Sequence, residues 1–174
     1  GGMFSWISQP WQPPMYGQDE MVAILTEWRD GYKHTLGGAS LNGNMCILDK
    51  APDDNGNTHN TWMLFGDPSL MLRTKAPEKM SVYCSSSYLL VGMSSFSVNA
   101  DVAHGIATLS KDGEMLASSY IKDGHASLSF PALEEEGKLK LVVLAYNKVT
   151  KVLDIEVKSA TDAFVIFNEY ELNE

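Results

Sequence analysis

Cys46 lies in sequence between His34 and His59, so a thiol nucleophile with a neighbouring base is the first chemistry to weigh. The immediate neighbours of Cys46 are Met45, Ile47 and Leu48. That setting suits a small core residue better than an activated thiolate, and the dyad is set aside. His104 and His125 stand beside glycines without a second ligand at metal spacing, and are expected in exposed turns. The run Asp53-Asp-Asn-Gly-Asn57 is acidic and turn-forming. It lacks the regular alternation and the distal glutamate of a calcium loop, so it is expected to be a surface loop. Glu134-Glu-Glu136 is expected to be a solvated turn, and Asp67 in Gly66-Asp-Pro68 to cap backbone amides. Trp11 sits in a proline-rich stretch where its ring can pack on Pro13 and Pro14.

Charge and composition exclude several classes. The net charge of −9 is shared: residues 1–77 carry 5 basic and 8 acidic side chains, and residues 78–174 carry 8 and 14. Neither half offers the basic face that phosphate binding needs, so nucleic acid is excluded as a partner. No apolar run reaches the roughly 20 residues of a membrane-spanning helix. Two cysteines, Cys46 and Cys84, are too few for a disulfide framework and are expected as free thiols on opposite sides of a domain boundary.

The elements that would position these residues differ between the two halves. Met3–Ser8 reads as a buried strand ending at Pro10 and the Pro13-Pro14 pair. Met21, Ile24, Leu25 and Trp28 fall at helical spacing and predict an amphipathic helix over Gln18–Trp28, with Asp19 and Glu20 near its positive end, stopped at Asp30-Gly31. Leu41, Met45 and Leu48 predict a second helix from about Leu36 to Leu48, in which Gly37, Gly38 and Gly43 permit close packing. Thr61–Phe65 reads as a core strand ending in the Gly66-Asp-Pro68 turn. Residues 73–79 form a polar, proline-containing connector, where the boundary is placed.

Beyond the connector the period is two: Phe96/Val98/Ala100, Ala126/Leu128/Phe130, Leu139/Leu141/Val143 and Leu153/Ile155/Val157. Lys111-Asp-Gly113 and Lys122-Asp-Gly124 predict tight hairpin turns. Six or seven short strands at this spacing predict a small β-sandwich.

Several landmarks occur in an order that resembles the carboxyl-terminal end of a gingipain-family cysteine endopeptidase. They are Trp11 to Met15 in its proline-rich loop, Gly17-Gln-Asp-Glu-Met21, Leu36-Gly-Gly-Ala-Ser-Leu-Asn-Gly43 and Trp62…Phe65-Gly-Asp-Pro-Ser-Leu70. Ile106 to Glu114 and Leu141 to Lys148 are similar to strands of that family's immunoglobulin-like domain. The resemblance covers residues 2–158. It implies an α+β segment at residues 1–74, the end of a caspase-like α/β peptidase domain. An all-β immunoglobulin-like sandwich would follow at 75–160, then an extra strand and acidic tail at 161–174.

The resemblance further implies that the catalytic histidine and cysteine lie upstream, that Cys46 is not the nucleophile and that this chain alone is inactive. What it retains resembles one wall of the primary specificity pocket: Trp11, with Gln9 and Met15. A flat indole can stack on a guanidinium, worth about 0.5–2 kcal/mol. Lysine-specific relatives carry an acidic residue three positions after the tryptophan; here Pro14 stands there, which favours arginine. Pro10 departs from the larger or polar side chain found in many relatives.

The implied partners are protein or peptide substrates and the upstream remainder of the peptidase domain. A segment cut from a larger α/β domain leaves an apolar face open, so without that remainder it is expected to self-associate. No cofactor or metal is implied, and a secreted or outer-surface bacterial location is. The alternative from another class is a cell-surface adhesion or structural module with a vestigial protease-like portion, since immunoglobulin-like folds host many functions.

Overall fold

The computed structural model describes residues 13–27 and 34–160. The expected strand Met3–Ser8, the helix stop at Asp30-Gly31 and the expected tail strand at 161–174 lie outside the described residues. The chain divides into two compact units that meet between Ala76 and Pro77, with Cys46 in the first and Cys84 in the second, both free thiols.

The first unit contains helices α1 (Pro13–Thr26), α2 (Leu36–Lys50) and α3 (Asn57–Thr61), with a 3-10 turn at Pro52–Asp54. Helix α1 starts five residues earlier than the Gln18 predicted from periodicity. Prolines at the first helical positions lose no hydrogen bond, because the first four amides of a helix have no intrahelical acceptor. Pro13 and Pro14 therefore open the helix rather than block it. Asp19 and Glu20 consequently fall beyond the first turn, where the helix dipole no longer favours them.

One further expectation fails in this unit, and the apolar spacing that predicted α2 is not its buried side. The stripe Leu41, Met45, Leu48 does not form the buried side of α2: these residues are 62%, 54% and 37% exposed. The buried side is Ala39, Ser40, Gly43 and Ile47. Thr61–Phe65 is not a core strand. Thr61 ends α3, Trp62 after it is extended, and residues 62–65 join no ladder among the described residues, leaving Met63 72% and Phe65 84% exposed.

The second unit is all β: β1 (Val82–Cys84), β2 (Tyr88–Leu90), β3 (Ser95–Ala100), β4 (His104–Lys111), β5 (Glu114–Lys122), β6 (His125–Ser129), β7 (Gly137–Leu144) and β8 (Lys151–Lys158). Among the described residues the strand order is β1-β3-β6-β5-β4-β7-β8-β2, eight strands rather than the six or seven predicted. Strands β5 and β6 pair only through Lys122 and His125, beside their turn. There the sheet opens and folds over, so that β1-β3-β6 faces β5-β4-β7-β8-β2 across one core. That core is shared by Phe96, Val98 and Leu128 from one layer and Leu109, Ile121, Leu139, Leu141, Val143 and Ile155 from the other. Consecutive β1 and β2 end up at opposite edges, β1 antiparallel to β3 and β2 parallel to β8.

The turn chemistry follows the sequence. Asp112 and Gly113 have φ 49° and 90°, and Asp123 and Gly124 have φ 50° and 81°. Positive φ at both central residues is the type I′ requirement, which matches the right-handed twist of the flanking strands. A Cβ on Gly124 would also sit 2.9 Å from the Ala100 carbonyl oxygen. A register shift between Leu109 and Ser110 places a bulge in the β4–β5 pair.

Candidate functional site

Of the three pocket-wall candidates, Met15 lies within the described residues, in the first turn of α1 and 39% exposed. Trp11 and Gln9 precede the described residues. The helix that carries Met15 is held by an intimate crossing with α2. A Cβ on Gly17 would meet Ile47 Cδ1 at 2.7 Å and the Gly43 carbonyl oxygen at 3.1 Å; one on Gly43 would meet the Gly17 carbonyl oxygen at 2.8 Å. Each helix thus uses a glycine to let the other's backbone approach. Ile24, Ala39 and Ile47, all fully buried, fill the remaining space.

The start of α2 is sealed by the Gly66–Leu70 turn. The Leu36 amide donates to the Leu70 carbonyl at 2.8 Å, and the Gly37 amide to the Pro68 carbonyl at 2.9 Å. The Gly38 amide donates to Thr35 Oγ1 at 3.1 Å, an N-cap. Gly37 must be glycine here, since a Cβ would lie 2.7 Å from Pro68 Cβ and 2.9 Å from its carbonyl oxygen. Asp67 holds the turn: its Oδ1 accepts from the Ser69 amide at 2.8 Å and the Ser69 hydroxyl at 2.7 Å. The Ser69 hydroxyl, then its amide, hold the Asp67 carboxyl below its usual range. The Leu36–Gly43 and Phe65–Leu70 motifs are therefore two sides of one clamp. With its amides spoken for, this helix end has no free donors to offer an anion.

No hydrogen bond links Cys46 to His34 or His59 among the described residues. His34 is buried, and its carbonyl accepts from the Leu72 amide at 3.1 Å. Asp54 Oδ2 accepts from the Thr58 amide at 2.7 Å, which ties the acidic loop to the start of α3. Among the described residues no group of three or more histidine, cysteine or acidic side chains gathers in a metal-binding arrangement. Among the described residues, three buried side-chain atoms lack a hydrogen-bond partner, Asn44 Oδ1, Thr58 Oγ1 and His59 Nδ1, and all belong to α2 or α3.

In the β unit, His125 opens β6, exposed, with Nδ1 3.0 Å from Asn99 Oδ1, and half-buried His104 opens β4. The acidic turn is solvated, and two of its members are also used. Glu135 pairs with Lys111, and Glu136 accepts from the Ser159 amide at 2.8 Å.

An open apolar face was expected on Met3–Ile7 and on one side of the Gln18–Trp28 helix; the exposed set on α2 and after α3 was not foreseen. Leu41, Met45 and Leu48 line one side of α2, and Met63 and Phe65 stand out from the segment after α3. The helical spacing was visible, but which side of α2 faces inward was not. Among the described residues no helix is long and apolar enough to cross a membrane.

Residues 86–158 match the sequence model described as Peptidase family C25, C terminal ig-like domain. Over 163 residues, 92% of this chain, the sequence is 39% identical to gingipain R2 of Porphyromonas gingivalis (strain ATCC BAA-308 / W83), of which it spans 22%. It is 37% identical over 161 residues to gingipain R1 of Porphyromonas gingivalis, spanning 16% of that protein. The crystal structure of the Arg specific cysteine proteinase gingipain R (RgpB) matches with a TM-score of 0.77 and 40% identity, over 86% of this chain and 35% of that one. A complex of the RgpB pro- and mature domains matches with a TM-score of 0.78 and 39% identity, over 86% of this chain and 36% of the other. The chain thus spans well under half of each of these relatives.

Proposed function

We propose that this chain, which carries the C-terminal Ig-like domain of peptidase family C25, is the carboxyl-terminal part of a secreted or surface-held bacterial cysteine endopeptidase that cleaves after arginine. The observation that carries this reading is the extent of the similarity. It runs over 92% of the chain at 39% identity, through the helical unit as well as the β unit. Adhesion modules that shared only the Ig-like domain would match over the second unit alone.

In this reading residues 1–74 complete the peptidase domain and residues 75–160 form its Ig-like companion. The upstream remainder supplies a cysteine thiolate, which attacks the scissile carbonyl, and a histidine, which takes and returns the proton before water releases the acyl group. Trp11, with Gln9 and Met15, forms one wall of the pocket for the substrate's arginine. The indole stacks on the guanidinium, and a carboxylate from upstream takes the charge. Met15 supports this placement in one respect: it is a partly exposed, adaptable thioether whose backbone stands at the start of a helix fixed by the Gly17–Gly43 crossing.

The same upstream remainder covers the exposed apolar set. Leu41, Met45 and Leu48 present a helical stripe that water solvates poorly, and Met63 and Phe65 add exposed apolar side chains after α3. The chain alone is therefore inactive and prone to self-association. In the full-length parent, Trp11→Ala is expected to raise KM for an arginyl reporter peptide by about tenfold, the loss of roughly 1–2 kcal/mol of stacking. Unchanged kinetics in that variant would remove Trp11 from the pocket.

A further inference from the structure

We propose that the Arg73–Thr74 peptide bond is a processing site for an endopeptidase with an arginine-binding primary pocket, and that cutting it releases the β unit as a folded domain. The inference stands on the connector and does not depend on the parent being a peptidase itself.

Residues 73–79 are exposed without exception, and residues 73–77 belong to no helix, strand or bridge. The chain is anchored on either side. Before the connector, the Leu72 amide donates to the His34 carbonyl and Met71 bridges Thr35. After it, the Glu78 amide donates to the Asn147 carbonyl at 3.0 Å, the Val149 amide to the Glu78 carbonyl at 2.8 Å, and Glu78 bonds Lys148 Nζ at 3.0 Å. An endopeptidase binds its substrate as an extended strand, so cleavage requires local opening of the chain around the bond. At Arg73 the downstream side is already irregular for several residues. Upstream, Met71 and Leu72 must peel away from His34 and Thr35. Connectors between compact units are where nicking concentrates for this reason.

Among the described residues, side-chain chemistry leaves one candidate bond for an arginine-binding pocket. The sequence holds two arginines, Arg29 and Arg73, and Arg73 is the one within the described residues. Lys111, Lys122, Lys138, Lys140, Lys151 and Lys158 all lie in strands of the β unit. Lys79 directly precedes buried Met80, so its bond cannot be drawn out without opening the core. Pro77 stands well past the scissile bond, clear of the position directly after the arginine, where proline blocks hydrolysis. In the cut, the Arg73 carbonyl carbon to Thr74 nitrogen bond breaks. Water supplies the hydroxyl of a new carboxylate on Arg73 and the proton of a new amine on Thr74.

The products are self-sufficient on the β side. The buried members of its core run from Met80 to Val157, all downstream of the cut, and its first anchored residue, Glu78, is retained.

The test is digestion of the native chain with an arginine-specific endopeptidase, followed by intact mass, alongside Arg73→Lys, which keeps charge and exposure. The expected result is a 74–174 fragment that appears under native conditions and still unfolds cooperatively. It should be lost in R73K with the arginine-specific enzyme and restored in R73K with trypsin. The proposal is overturned if the Arg73–Thr74 bond of the folded chain resists and is cut only in denaturant. It is equally overturned if the released 74–174 fragment shows no cooperative transition.

Discussion

Gly43→Ala offers the sharpest probe of how the first unit is built. In an exposed helix this change stabilises, because alanine gains about 0.5–1 kcal/mol over glycine. At position 43 the new Cβ would lie 2.8 Å from the Gly17 carbonyl oxygen and 2.8 Å from Met21 Cγ, against an ordinary contact of 3.4 Å or more, a shortfall of 3.4 − 2.8 = 0.6 Å. Met21 is a flexible side chain and can swing away. The Gly17 oxygen is helix backbone and cannot, so α1 and α2 must separate. Overpacking of this kind costs about 1–3 kcal/mol, which outweighs the propensity gain and leaves a net loss of about 1–2 kcal/mol. The assay is urea unfolding followed by tryptophan fluorescence, since the four tryptophans, Trp6, Trp11, Trp28 and Trp62, all fall within the first 76 residues. Met45→Ala, at an exposed position of the same helix, serves as control and should shift stability by no more than about 0.5 kcal/mol. A Gly43→Ala protein as stable as the parent chain, at unchanged m value, would refute the close crossing.

Thr58→Val should stabilise the chain by about 1 kcal/mol, because it replaces a fully buried hydroxyl that lacks a partner with an isosteric methyl group; a destabilised variant in the same urea assay would mean that the hydroxyl is bonded. Leu109→Ala empties a fully buried position at the centre of the β core and should cost about 2–5 kcal/mol, read as an earlier far-ultraviolet circular dichroism transition. For pH, the Ser159 amide and hydroxyl hold the Glu136 carboxyl below its ordinary range, and Lys111 does the same to Glu135. A depressed folded pKa gives stability that is present above the unfolded carboxylate range and is lost as pH falls through the folded value. The thermal midpoint of the β unit should therefore drop on acidification below the ordinary glutamate range, and Glu136→Gln should flatten that dependence. Lys111 is shifted upward by its bond to Glu135, so its share is full below the ordinary lysine range and fades only as pH rises through the folded value.

The β unit was legible because its signals are local. Both Asp-Gly pairs form turns with the positive φ angles their composition demands, and alternation put Val98, Leu128, Leu141 and Ile155 in the core. Its shortest strands carried no such pattern. Tyr88–Leu90 is a strand because it pairs with Glu156–Lys158, a partner far along the chain. In the helical unit the extent of α2 was visible, from Leu36 to within two residues of its end, as was the use of Gly43 for close packing, but which of its sides faces inward was not. Sequence reasoning assigns the largest apolar side chains to the interior. Here the interior contact is made by the absence of side chains at Gly17 and Gly43, and Leu41, Met45 and Leu48 are left facing out. Thr61–Phe65 has strand-like composition without a strand beside it among the described residues, and propensity does not make a ladder. Of the pocket candidates, Met15 could be placed, on a helix whose prolines had suggested a loop.

In the proposed function this chain completes a gingipain-like peptidase and is not one by itself. The most direct measurement is turnover of paired arginyl and lysyl reporter peptides by the pure chain and by the full-length parent from which it comes. That reading predicts no turnover by the chain, and thiol-dependent cleavage by the parent with a strong preference for the arginyl peptide. Turnover by the chain alone, or a parent that cleaves neither reporter, would contradict it.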